Sequence, residues 1–533
     1  MRAVAVLPPG SRGLHGHFYR LPVPETMAFR NWKQELEDQR PPGPSPWPVV
    51  LRCGLATLML ASAACGALWV WPGFLLPKPW VRPGPPPAAL TLIFASDLRG
   101  HLEPCGCTSQ RWGGVARMAG AIKRIARPGA SKPATTVLVE VGNMGKGPLT
   151  WQRLGLEYYL AALGQMKCAA ANLGPTEAML SAAKLKELAG RSSVPLISAN
   201  LLESGTLKPL VAPYRQLLVD NLRITLVGVT GGDPECPPGQ GVLIGDINDC
   251  LGKLLPELRG QTDLVVLLAC CDELTLRAIA QAHPELDVVL GGHVAQATKA
   301  VEVLGACRLA WHANKGQTLG RMDVKIRPDG RPGEATSAVF VLDNDVPEEP
   351  PLLDVAERYN AELAALDRQS GLAGLGVSIG PVPAGGNVYA GARSCRRCHA
   401  KAFESWAASR HAAAFASLTG EGTRTTSTSK PAPIRRRDSN PDCVSCHVVD
   451  LGAGDGFRGI LVTPDLAGVG CECCHGRCSE HVNARLRGAP AAIGKLTKCL
   501  PNSCNTCHDC LHSPEFTYEP YWEKIKHGLD KNK

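Results

Sequence analysis

Four times between residues 395 and 508 the chain repeats Cys-x-x-Cys-His: Cys395/Cys398/His399, Cys443/Cys446/His447, Cys471/Cys474/His475 and Cys504/Cys507/His508. Two thiols at this spacing can form thioethers with the two vinyl groups of a haem, and the histidine that follows becomes the proximal iron ligand. Zinc sites also use paired cysteines, but rarely need a histidine directly after the second one every time. The pattern therefore predicts four covalently bound haem c groups.

An iron held this way can take a second axial ligand. The unused histidines of the same region are His411, His481, His512 and His527, matching the four irons in number. The stretch 400–415 reads as helix, so His411 lies about 18 Å along the axis from His399. Two axial nitrogens on one iron are only about 4 Å apart. His411 is thus expected to cap a neighbouring haem, and His481, close after His475, follows the same logic. For His512 and His527, a plain surface histidine is an equal expectation.

The segment YAGARSCRRCHAKAFESWAASRHAAAFASL (389–418) resembles the first haem segment of the cytochrome c-554-like tetrahaem family. PDCVSCHVVDLG and GVGCECCHGRCSEH are similar to its second and third, and the resemblance covers 387–533. It implies electron transfer through closely packed haems, bis-histidine ligation at most irons, and His411 and His481 as distal ligands. The extra cysteines depart from that pattern: Cys473 and Cys478 stand where small residues are usual, and Cys499 and Cys510 flank the last motif. Disulfides would account for them, in pairings the sequence does not give.

Elements able to position a second site occupy 89–345. Apolar strand-like runs at 90–95, 136–141, 194–199, 224–229, 263–268 and 287–290 alternate with helical spacing at 151–166, 176–189 and 273–282. Such alternation predicts an α/β sandwich with its chemistry at the strand C-terminal ends. LIFASDLRGHLEPCGCTSQRWGGVARMAG (92–120) resembles the opening of the 5′-nucleotidase branch of the calcineurin-like metallophosphoesterases, and VPLISANL, LVGVTGG, LDVVLGGH and KGQTLGRMDVKI follow in the family's order.

That family's hydrolysis needs two metals held by Asp, His and Asn side chains. At the matching positions Asp97 and His293 persist, but Arg99, Asn143, Pro175-Thr176-Glu177, Ala269-Cys270 and Ala295 replace the remaining ligands and the catalytic histidine. A bimetal centre without its anionic bridge lacks the charge neutralisation that two dications need, so phosphoesterase activity is not expected. Cys105 and Cys107 lie on the loop after the first strand, and Cys271 adjoins Cys270. Asp97, Cys105, Cys107, Cys270 and His293 are candidates for a thiol-rich redox or soft-metal site, against the plainer reading of structural disulfides and buried thiols.

The remaining composition fits an exported electron carrier. The chain has 533 residues, 22 cysteines and a formal charge of +9, and the propionates of four haems would offset roughly 8 positive charges. The surplus is therefore no argument for nucleic acid, and the run Arg435–Arg437 reads as solvated surface or as a docking patch for an acidic redox partner. An uncharged run at 53–71 is long enough to span a bilayer, although a cleaved signal sequence is the alternative. Covalent haem attachment on the exported side places the bulk of the chain outside.

The expected organisation is multidomain: a cytoplasmic tail (1–48), a transmembrane anchor (49–77), a Pro-rich linker (78–88), a degenerate metallophosphoesterase-like α/β sandwich (89–345), a helical connector and linker (346–386) and a mainly α, haem-stapled tetrahaem domain (387–533). The function expected is electron transfer at a bacterial inner membrane, facing the periplasm, with redox proteins or quinone-linked membrane complexes as partners. A haem oxidoreductase acting on a small nitrogen or sulfur compound is the rival, and it requires an iron without a distal ligand. A nucleotide phosphohydrolase fused to a cytochrome is a third reading.

Overall fold

The computed structural model describes residues 80–104, 111–126, 135–313, 315–419, 436–490, 494–509, 512–513 and 515–527. The expected span at 53–71, together with Cys105, Cys107 and Cys510, lies outside the described residues. Among those described, no helix is long and apolar enough to cross a membrane.

The α/β region carries β1 (Ala89–Ala95), β2 (Thr135–Glu140), β3 (Ala170–Asn172), β4 (Leu196–Ile197), β5 (Leu201–Glu203), β6 (Tyr214–Val219), β7 (Leu222–Thr230), β8 (Val242–Ile244), β9 (Leu264–Cys270), β10 (Val288–Gly292), β11 (Glu302–Leu304), β12 (Cys307–Trp311), β13 (Thr318–Ile326) and β14 (Pro332–Val341). They form two 6-stranded sheets, ordered β14-β13-β1-β2-β3-β4 and β11-β12-β10-β9-β7-β6, with β5 and β8 as a separate pair. The period-2 alternation of β1 shows why the sheets stack. Leu90, Leu92 and Phe94 point inward with Leu226, Val266 and Leu290 of the second sheet to form one apolar layer. Ile93 and Ala95 point outward and pack with residues of the helices Val115–Ala126, Thr150–Gln165 and Ala182–Arg191. Helices Ile247–Arg259 and Glu273–Ala282 cover the other sheet, giving four layers.

Several local expectations are corrected. The helix expected over 176–189 is two helices, Pro175–Ala178 and Ala182–Arg191, because the Ser181 side chain accepts from the Lys184 amide and starts a new N-terminus. The strand expected over 194–199 pairs only over Leu196–Ile197. The helix expected over 400–415 stops at Ala407, where the Ser409 hydroxyl takes the Trp406 carbonyl and the chain turns before His411.

The connector helix runs Pro350–Gly374 with a break at Gly371, whose φ of 57° leaves the helical region. Its Val355, Tyr359 and Leu363 are buried in the same core as the outer helices of the first sheet, so it forms part of that layer. Beyond it the apolar core is small, built around Phe415, Leu418, Val444, Val448, Val449, Phe457 and Leu466. A region with so little to bury needs a cofactor as a staple.

Candidate haem centres and the degenerate site

Each Cys-x-x-Cys-His motif sits on a single short turn or helix. In Pro441–His447 the Asn440 side chain caps the N-terminus by accepting from the Asp442 amide, and one turn then spaces Cys443 from Cys446. The motif histidines meet others from distant parts of the chain. His399 stands against His481 at 6.1 Å between ring centroids, His411 against His508 at 6.2 Å, and His475 against His527 at 6.1 Å. Two metal–nitrogen bonds of about 2 Å plus half an imidazole at either end give about 6 Å, the spacing of two axial histidines on one iron.

Hydrogen bonding fits the same role. Nδ1 of His447 donates to the Ala414 carbonyl, that of His475 to Thr497, that of His481 to Gly494 and that of His527 to Ile525. Nδ1 of His508 bonds the Ser513 hydroxyl, and that of His512 the Asp509 carboxylate at 2.8 Å. Tying Nδ1 fixes the ring and presents Nε2, the arrangement of ligating imidazoles. The donor set therefore fits haem.

The fourth motif histidine differs. Among the described residues, no second imidazole ring faces His447 as in the three pairs. Burial is the first cause holding its pKa low, followed in the opposite direction by its bond to Ala414, with His512 and Arg437 close enough to lower it further.

The attachment thiols also group across motifs. Cys395 lies beside Cys471 and Cys478, whose thiols favour its thiolate and lower its pKa, and Cys446 lies beside Cys507, which lowers its pKa to about 6. The first motif thus adjoins the third, and the second adjoins the fourth. Cys398 differs from Cys395 of the same motif. Its side chain is exposed, whereas Cys395 is half-buried. The reason is local: Cys398 lies on the turn between the short helices Ala392–Cys395 and Ala400–Ala407, and its neighbours Arg396 and Arg397 are exposed as well. Of the residues that would hold the first haem, Cys398 thus lies on the solvent side and Cys395 beside the third motif.

Glu472, inside the third motif, is 3% exposed. Its carboxylate accepts from the amides of Ala390, Gly391 and Cys478 at 2.9, 2.8 and 3.0 Å and from the Cys478 thiol at 3.0 Å. It pins the start of the first haem segment to the third motif. Sequence reading missed this residue, although an acid between two haem cysteines was the available signal.

In the α/β layers, Asp97, Asn143 and His293 converge after β1, β2 and β10. Asn143 Nδ2 donates to Asp97 Oδ1 at 2.9 Å and lies 3.0 Å from His293 Nδ1, while the His293 amide donates to Asp97 Oδ2 at 2.6 Å. The Arg99 guanidinium reaches His293 Nδ1 at 3.3 Å and Asp97 at 3.7 Å, adding fixed positive charge beside the carboxylate. Asp97, Arg99, Asn143 and His293 all hold positive φ, at 54°, 48°, 57° and 64°, a backbone cost that sites retain only when their surroundings impose it. Asp233, 3.5 Å from His293 Nε2, was not singled out in the sequence.

Glu177 lies beneath Asn143, bonded to the backbone around it. Its carboxylate accepts from the amides of Gly145, Gly174 and Asn143 and from the Thr176 hydroxyl, and burial raises its pKa. Cys270 is fully buried at the end of β9, and burial followed by the nearby Asp97 raises its pKa far above the thiol range. Of the proposed thiol-rich set the structure brings His293 against Asp97 and leaves Cys270 within electrostatic reach of Asp97; Cys105 and Cys107 lie outside the described residues. Among the described residues no three His, Cys, Asp or Glu side chains are grouped to hold a metal ion.

The two sites share a seam. Lys146, just after Asn143, is bonded to Asp442, and His101 Nδ1 lies 3.9 Å from the same carboxylate. Arg437 pairs with Glu103 at 2.9 Å, and Asn360 donates to Glu103 at 2.9 Å. His101 is almost wholly buried there, and desolvation pushes its pKa down to about 4. The loops following β1 and β2 therefore hold the second haem segment.

The chain joins a two-sheet α/β domain to a segment carrying four Cys-x-x-Cys-His motifs, and each part is similar to known proteins. Residues 394–476 match the family described as cytochrome c554 and c-prime. Cytochrome c-554 of Nitrosomonas europaea is 35% identical over 89 residues, 16% of this chain and 38% of that protein. The uncharacterized metallophosphoesterase YunD of Bacillus subtilis is 27% identical over 145 residues, 27% of this chain and 31% of that one. The chain thus spans less than two-fifths of either curated relative. The crystal structure of a 5′-nucleotidase precursor from Thermus thermophilus superposes with a TM-score of 0.46 at 22% identity, covering 55% of this chain and 61% of that one.

Proposed function

We propose that this protein is a membrane-anchored, periplasm-facing electron carrier in which three haems relay electrons and the fourth, held by His447, keeps an open axial position. The observation that carries this reading is the set of three facing histidine pairs, with no fourth facing pair at His447 among the described residues. Bound haem supplies reversible one-electron exchange at iron. The chain supplies the rest: paired imidazoles hold the iron ligand sphere unchanged through redox turnover, and Nδ1 hydrogen bonds set their orientation. Grouped thiols of the first and third motifs, and of the second and fourth, support close haem packing.

The α/β domain is read as a catalytically inert scaffold. Arg99 and Asn143 fill the position between Asp97 and His293 with donors where dications would need acceptors. Its partners are expected to be redox proteins or quinone-linked membrane complexes rather than nucleotides.

The open position keeps the haem oxidoreductase reading alive as the second possibility. Electron paramagnetic resonance of the oxidised, haem-loaded protein tests both. The expected spectrum is mostly low-spin ferric with one high-spin component. Purely low-spin signals would remove the open position and leave a carrier alone.

A further inference from the structure

We propose that the turn 459–463 of the haem-bearing segment, with the arginines around it, rests on an anionic lipid surface. This goes beyond the anchor expected at 53–71, because it gives the haem-bearing segment a membrane contact of its own.

The turn presents apolar side chains to solvent. Ile460, Leu461 and Val462 are 47%, 95% and 61% exposed, consecutive aliphatic residues where a soluble surface shows them singly. Its base is fixed. The amides of Val462 and Thr463 donate to the Gly459 carbonyl at 3.1 and 2.9 Å, and the Arg458 amide donates to the Thr463 hydroxyl at 2.9 Å. Ile460 also lines a small cavity with Leu372, Leu375 and Phe457. Leu461 therefore stands at the tip of an ordered turn and touches almost nothing.

Cations rim this tip. Arg458 is exposed and forms no ion pair among the described residues. Asp465, just past the turn, pairs with Arg393 at 3.2 Å, which brings the start of the first motif alongside. Arg396 follows Arg393 at i,i+3 on the same face of that helical turn. Arg396 and Arg397 are exposed, with no ion pair among the described residues. Aliphatic side chains projecting from a basic rim suit the boundary of headgroups and acyl chains: the acyl layer takes up the tip and anionic headgroups attract the rim. A protein partner would need a pocket shaped to one protruding leucine, whereas a fluid acyl layer needs none. Cys398 follows Arg397 and is exposed as well, so the contact turns the first motif toward the membrane.

The test is hydroxyl-radical footprinting of the haem-loaded full chain, read by mass spectrometry at residues 460–462. The chain is compared in detergent, in phosphatidylcholine vesicles, and in vesicles of phosphatidylcholine and phosphatidylglycerol in equal parts. Modification of Leu461 and Val462 should fall in the mixed vesicles and recover in part at high salt. Leu274 and Val303, exposed in the α/β region, should keep theirs. Two surface substitutions size the effect. Arg458→Gln should lower the bound-to-free ratio about fivefold, the weight of one arginine at an anionic surface. Leu461→Ser, read at Val462, should lower it about tenfold or more. Equal modification in detergent and in mixed vesicles overturns the proposal. So does protection in detergent that grows with protein concentration, which would assign the turn to a second copy of this chain. Failure of the membrane anchor shows separately, as chain that does not sediment with phosphatidylcholine vesicles, and leaves the comparison at Leu461 intact.

Discussion

The imidazoles of His399 and His481 stand 6.1 Å apart with their planes inclined by 27°. One belongs to the first haem motif and the other to the helix Ser479–Leu486 after the third, so one iron would join two segments that share little apolar core. Replacing His481 with alanine should convert one low-spin ferric signal to high-spin and leave the other two pairs unchanged. Electron paramagnetic resonance of the variant checks this.

His527 is the remote partner of His475. Replacing His527 with alanine removes that imidazole with little buried surface, since His527 is exposed. The variant should gain a high-spin signal from the third haem and bind azide there. An unchanged spectrum would show His527 to be a surface residue.

Glu472 offers a stability prediction. Glu472→Ala strands the amides of Ala390, Gly391 and Cys478, and buried donors left unpaired cost about 1–3 kcal/mol each, with partial relief by water. Denaturant unfolding of the haem-loaded chain should lose on the order of 3 kcal/mol, and Glu472→Gln should lose less because it keeps one acceptor oxygen.

Glu140 sets a pH dependence. Burial raises its pKa to about 8, while its bonds from Tyr159 at 2.6 Å and Gly142 at 3.2 Å oppose the shift. The native state holds this proton between the unfolded carboxyl value of about 4.3 and the raised one, so stability falls as pH rises through that window. The contribution lost across it is on the order of several kcal/mol. His101, with its pKa lowered to about 4, works in the opposite sense, losing stability as pH falls from its unfolded value of about 6.5. Comparing the chain with Glu140→Gln therefore isolates the effect: the difference should favour the variant increasingly up to about pH 8.

The α/β domain should release no phosphate from nucleotides with added manganese, and chelator should leave its melting temperature unchanged. Metal-dependent phosphate release would instead restore the hydrolase reading.

Much of this was legible in the residues themselves. Haem attachment is written into local spacing, because two thiols and an imidazole within one turn must face one macrocycle wherever the turn sits. The α/β layers were legible from alternation in runs such as β1 and from buried runs such as β9, since period and burial are local properties. Arg99 and Asn143 were equally visible at positions where the resemblance implies metal ligands.

Tertiary structure decided what lies far apart in the chain. Which histidine faces which depends on how short segments with few apolar residues are folded back, so His527 could not be told from a surface residue and His411 met His508. The same folding back shelters Cys395 against the third motif and leaves Cys398 exposed, a difference that identical spacing in all four motifs does not encode. The break at Ser181 and the stop after Ala407 came from single hydroxyls competing for backbone groups, against an otherwise helical period. Asp442 meeting Lys146 and His101 also had no signature, because a charged residue at a domain seam reads like one on a solvated surface until both sides are in place.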